Sequence, residues 1–259
     1  MAGGIQKIEI AISLDDDPLN RFSSSISLKG LFSGEQFKPT FILIYTPLLL
    51  TAWKYYGSVG FYDRSIASSF VLANDPGLTA EYFHFTSAFL MLGLLSLLII
   101  KFVFKEKFSD YGLGVGDWKF GLKVFALLAP ILILSTYPSS KMPDFQLEYP
   151  FFKNAGTTPV KCFNHASAYV FYYVGWEIFF RGMMQFSLRP VLGDWNAVLV
   201  QTIASCLVHI GKPDGEIFSS ILGGIVWGII AFRTNSIWYV FLMHWLLGVS
   251  LDWFICFAR

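Results

Sequence analysis

Stretches without Asp, Glu, Lys or Arg dominate the chain, at residues 39–53, 82–100, 124–140, 162–176, 195–211, 217–232 and 234–251. A helix crosses the hydrocarbon core of a bilayer with about 20 predominantly apolar residues. Several runs reach that length once a flanking charge snorkels to the interface. The fourth reaches it only if Glu177 and Arg181 lie inside the span. One water-soluble core cannot absorb seven such runs in 259 residues. The pattern therefore predicts an all-α, polytopic transmembrane helical bundle of about seven spans, within a range of about six to eight. Pro47 in the first run is a tolerated kink. Residues 60–81, with Asn74-Asp75-Pro76-Gly77, and 141–161, with Pro143, Pro150 and Pro159, read as loops. The fifth run stops at His209-Ile210-Gly211-Lys212-Pro213, because glycine and proline end a helix. In the sixth, Gly224 and Gly228 form a small-xxx-small pair suited to close helix contact.

Composition agrees with this pattern. The chain is 54% hydrophobic and only 14% charged, against about a quarter charged in soluble domains. A net charge of +1 gives no footprint for a nucleic-acid partner. Residues 1–38 are polar, with Asp15-Asp16-Asp17 and serines at 23–25. They read as a disordered or interfacial leader with a short amphipathic element at 5–14, and not as a secretory signal. Lys101, Lys105, Lys107 and Lys119 form the densest basic cluster, which the positive-inside tendency assigns to the cytoplasm. Cys162, Cys206 and Cys256 are too few and scattered for a disulfide framework or a zinc knuckle.

The chemistry centres on residues 173–182, Tyr-Val-Gly-Trp-Glu-Ile-Phe-Phe-Arg-Gly. Glu177 and Arg181 are four residues apart, on one face of a helix. Each charge at mid-bilayer costs about 2.5–3.5 kcal/mol on insertion scales, so both are expected to face the protein interior. His209 and His244 lie in similarly apolar surroundings, and the four residues are expected to converge. Such a set has two readings: an ion pair and two bonded histidines that hold helices in register, or a site that activates water. Water activation needs a group to take a proton and a second donor to hold the developing oxyanion. Glu177, His209 and His244 would also suffice as three metal ligands. There is no H-E-x-x-H sequence. Gly114-Val115-Gly116-Asp117 matches a Gly-x-Gly-Asp aspartyl-protease signature, with Tyr62-Asp63 as its second half, but both aspartates lie beside a basic residue outside the runs. Asp117 reads instead as the start of the third span, where the helix dipole favours it.

The motifs resemble those of the CAAX prenyl protease and bacteriocin-processing (CPBP, or Abi) family of glutamic intramembrane proteases. Glu177-Ile178-Phe179-Phe180-Arg181-Gly182 is similar to the Glu-Glu-x-x-x-Arg motif, with Trp176 at the leading glutamate. Ser205 to His209 is similar to Phe-x-x-x-His without the phenylalanine. His244 to Gly248 is similar to His-x-x-x-Asn, with glycine at the polar position. The resemblance covers about residues 110–257. It implies a catalytic bundle at 110–259, while the run pattern by itself sets off an N-terminal leader (1–38) and two helices with their loop (39–109). It further implies hydrolysis of a peptide bond near the membrane surface, with Glu177 as base, His209 assisting, His244 donating to the oxyanion and Arg181 orienting Glu177. The partners it implies are the lipid bilayer and a membrane protein or peptide substrate. No cofactor and no metal are implied, and the location is a bacterial cell (inner) membrane. Asp252, two turns after His244, is a candidate to replace the missing polar residue. Glu216 has two readings, a further carboxylate reaching in from the membrane edge or, with Lys212, an interfacial anchor. The rival reading is a non-catalytic, immunity-type member that keeps the polar cavity. A small transporter is the third, against which stands the lack of an inverted repeat.

Overall fold

The computed structural model describes residues 30, 32–72 and 74–258, and every regular element among them is helical. The leader, including the expected amphipathic element at 5–14, lies almost wholly outside the described residues. Helix α1 spans Phe37–Tyr56 and α2 spans Val59–Ser65. Helix α3 covers Pro76–Phe104, with π-helical stretches at Phe89–Leu94 and Ile99–Phe104. Helices α4 (Trp118–Ser139) and α5 (Pro143–Glu148) follow. Helix α6 (Pro159–Glu177) passes through a π-helical turn, Ile178–Met184, into α7 (Gln185–Val208). Helices α8 (Asp214–Thr234) and α9 (Trp238–Phe257) complete the bundle.

Five segments are long and apolar enough to cross a membrane by length and composition. The longest, Pro159–Val208, has 50 residues and carries two of the apolar runs. Its backbone breaks at Gly193, with φ 72° and ψ 173°, a conformation essentially open to glycine alone. The 20 residues of α1, about 30 Å at 1.5 Å per residue, carry the first run. Each of the seven runs thus falls on a helix, and the all-α polytopic architecture stands. The exterior is apolar, with Leu127, Ile131 and Leu134 of α4 exposed, as a lipid-facing surface requires. The protein is an integral membrane protein.

Two stretches read as loops hold helices. Residues 60–81 contain most of α2 and the start of α3, because local caps form there: Ser58 Oγ accepts from Phe61 N at 3.2 Å and Asp75 Oδ1 from Leu78 N at 3.1 Å. Pro76 fills the first helical position, where its missing N–H costs nothing. Residues 141–161 contain α5, again with proline in the first turn. Asp117 caps α4, accepting from Phe120 N at 3.1 Å, and pairs with Arg233 at 3.3 Å.

The core is built around the end of α6, where residues 175–188 are all buried. Gly175 is the closest point of approach to α3: a Cβ there would lie 2.6 Å from the Ala88 carbonyl oxygen. Gly224 and Gly228 do the same for α7 and α8, since a Cβ would meet Thr202 at 2.7 Å or Gln185 Oε1 at 2.8 Å. That approach lets Gln201 donate to the Gly224 carbonyl at 2.7 Å and Gln185 to the Gly228 carbonyl at 2.9 Å. Interhelical bonds of this kind are worth about 0.6–2 kcal/mol each in a membrane.

Candidate functional site

Glu177 ends α6 and Arg181 lies in the π turn that follows. Both are buried, at 0% and 2% exposure. Arg181 Nη1 donates to Glu177 Oε1 at 3.3 Å, and His244 Nδ1, from α9, donates to the same oxygen at 2.7 Å. A carboxylate only accepts, so the Nδ1 proton is fixed and His244 keeps Nε2 for another partner. Glu177 Oε2 and Arg181 Nε are buried without a hydrogen-bond partner. Desolvation of this pair is offset by mutual attraction and by His244, whereas removing one member would leave an uncompensated buried charge.

His209 follows α7 and reaches the same region from another direction. Its Nδ1 donates to the Ser205 carbonyl at 2.8 Å, which fixes the tautomer and leaves Nε2 as the acceptor when the ring is neutral. Nε2 stands 3.9 Å from Glu216 Oε1, in the first turn of α8. The Tyr149 hydroxyl donates to both Glu216 oxygens, at 2.7 and 2.9 Å. Burial, and then the Glu216 carboxylate, hold the Tyr149 phenol well above its ordinary pKa, so it remains a donor. Lys212 pairs with Glu148 and lies over the Tyr149 and Phe151 rings at 4.8 and 4.3 Å. Glu216 therefore faces the site, while Lys212 buttresses the tyrosine that holds it.

A cavity of about 470 Å³ brings His209, His244, Glu216, Tyr149 and Tyr173 onto one surface. Its apolar lining includes Leu128 and Leu132 of α4 and Val226 of α8. Glu177 contributes no surface to it and meets it through His244. Trp176, 2% exposed, packs edge-on to both histidines, with ring centroids 5.3 Å from His209 and 6.3 Å from His244. The indole thus stands against both histidines, from the motif position at which the resemblance expects a glutamate.

Asp252 does not join this group. Its Oδ2 lies 2.7 Å from His165 Nε2, and His165 Nδ1 contacts Glu81 Oε1. Glu81, His165 and Asp252 are all at least 97% buried and link α3, α6 and α9. The lower part of α9 turns Asp252 toward α6 and away from the cavity, so it cannot replace the third motif's polar residue. His165 inside the fourth apolar run is the one sequence signal for this triad; Glu81 fell in a stretch read as loop. Tyr149 carried no signal, being one aromatic among many. Among the described residues no three of His, Cys, Asp or Glu are grouped to hold a metal ion.

Residues 160–250 match the family described as Type II CAAX prenyl endopeptidase Rce1-like, a CPBP-family group. The match begins at the start of α6 and ends within α9, and it contains Glu177, Arg181, His209 and His244. It bears out the family resemblance over that stretch. No curated protein and no solved structure matches the chain.

Proposed function

We propose that this protein, whose C-terminal bundle is similar to the CAAX-protease-type endopeptidases, is an intramembrane endopeptidase of the bacterial inner membrane. It hydrolyses a peptide bond of a membrane-protein or peptide substrate near the membrane surface, using water activated by carboxylate and histidine. His209 presents Nε2 to the water. Glu177, oriented by Arg181, accepts a hydrogen bond from Nδ1–H of His244, and Nε2–H of the doubly protonated ring is the donor to the oxyanion. Glu177 thus acts through His244 in this reading. A carboxylate with no exposed surface is badly placed to meet water directly.

The observation that carries the proposal is the 2.7 Å contact of His244 with Glu177, on a cavity whose lining includes His209. The two histidines come from segments separated by α8 in the chain, so their meeting at one cavity is a tertiary arrangement. The test is comparative membrane proteomics of cells carrying the wild-type or the Glu177→Gln protein. A precursor that stays uncleaved only with the variant is the expected result. Identical precursor profiles, with the variant folded, would sink the proposal.

The non-catalytic reading has one observation in its favour, the Trp176 ring packed against both histidines. It expects the same proteome in both strains.

A further inference from the structure

We propose that Glu216 is a catalytic residue, the carboxylate that holds and deprotonates the attacking water together with His209. The inference rests on the peptidase reading above.

Two acceptors face each other at the cavity. Because Nδ1 of His209 donates to the Ser205 carbonyl, Nε2 of the neutral ring is a lone pair. Opposite it, 3.9 Å away, is Glu216 Oε1. Two acceptors at that separation need a donor between them. A single water at about 2.8 Å from each would subtend roughly a right angle, close to its own bond angle. It would direct one O–H to His209 and one to Glu216, leaving its lone pairs for a carbonyl carbon in the cavity.

The surroundings of Glu216 fit this work better than anchoring. Among the described residues no lysine or arginine forms an ion pair with it, since Lys212 is engaged by Glu148. Its hydrogen bonds come from the Tyr149 hydroxyl, which bridges both oxygens and fixes the carboxylate plane. Tyr149, Glu216 and His209 all line the same cavity. No carboxylate from α6 competes for this place. Trp176 packs edge-on to His209 at 5.3 Å, and Glu177 is engaged with Arg181 and His244. The first turn of α8 therefore supplies what α6 lacks.

The step balances as follows. The water oxygen forms a bond to the scissile carbonyl carbon while one of its protons passes to Glu216. The carbonyl π pair moves onto oxygen and is held by His244. Collapse of the tetrahedral intermediate re-forms the C=O bond and breaks the C–N bond, and the proton on Glu216 goes to the leaving nitrogen. One water is consumed, and one carboxyl and one amine terminus are formed.

The experiment uses the full chain purified in detergent micelles and a library of quenched fluorogenic peptides. Wild type, Glu177→Gln, Glu216→Gln and Glu216→Ala are compared by cleavage rate and thermal midpoint. General-base removal costs about 10²–10⁴-fold, so Glu216→Gln should lose at least about 100-fold with a midpoint near wild type. Formate added to Glu216→Ala should restore part of the rate, which a merely structural carboxylate would not allow. Glu216→Gln cleaving within about threefold of wild type, while Glu177→Gln is inactive, overturns this inference and leaves the peptidase reading standing. So does a Glu216→Ala protein that is inactive, loses its thermal midpoint and ignores formate. A wild-type protein that cleaves no peptide overturns both.

Discussion

The hydroxyl of Tyr173 occupies the space into which a side chain at position 248 would project: a Cβ built on Gly248 would run into it. Tyr173 lies one turn before Glu177, lines the cavity and packs on His244 with ring centroids 4.6 Å apart. The glycine at the third motif's polar position is therefore matched by a phenol arriving from α6. Gly248→Ala should destabilise the fold by about 1–3 kcal/mol, the usual cost of overpacking. Tyr173→Phe removes the nearest atom and should relieve part of that loss. Thermal unfolding of the two single variants and the double variant checks this, and strictly additive losses would contradict it.

Arg181 and Glu177 predict a second asymmetry. Arg181→Ala leaves the fully buried Glu177 with His244 as its remaining partner and should cost about 3–5 kcal/mol. The Glu177→Gln/Arg181→Met double variant removes both charges and should unfold at a higher temperature than Arg181→Ala alone. Neither should cleave. Melting curves in one detergent test the order.

The triad Glu81–His165–Asp252 should govern stability and not chemistry. It joins α3, α6 and α9 and lies outside the cavity lining. His165→Ala leaves two carboxylates without their shared partner, a loss of about 3–5 kcal/mol. Folded protein recovered at low temperature should still cleave the peptide library at near wild-type kcat. A large fall in kcat without a fall in thermal midpoint would refute this division.

Trp176→Glu tests the departure from the first motif directly. It removes a buried ring, a loss of about 3–5 kcal/mol, and adds a carboxylate beside two histidines. If Glu216 already serves the water, the variant should melt earlier and cleave no faster than wild type. Higher cleavage in the variant would favour the non-catalytic reading.

Much of the architecture was legible because the signals are local. Apolar runs mark spans, an i,i+4 spacing places Glu177 beside Arg181, and the small-xxx-small pair Gly224 and Gly228 marks the α7–α8 contact. Asp117 before an apolar run marks a cap. What failed was equally local in cause. Ser58 and Asp75 start helices inside stretches judged by polarity alone, and α5 hides in a proline-rich segment.

The azimuth of each helix was beyond the sequence. In water, an amphipathic helix shows which face is inward; in a bilayer both the lipid side and the core side are apolar, so the pattern loses that information. The residue pattern alone shows a membrane-embedded helical bundle, and Glu177, Arg181, His209 and His244 stand in motifs that resemble those of one family. The packing of the helices decided that His244 donates to the Glu177 carboxylate while Asp252 turns to His165. It also decided that Tyr149 and Glu216, 67 positions apart, meet at His209. Those choices depend on how deep each helix sits and how far it is rotated, and both are fixed by packing across the whole bundle.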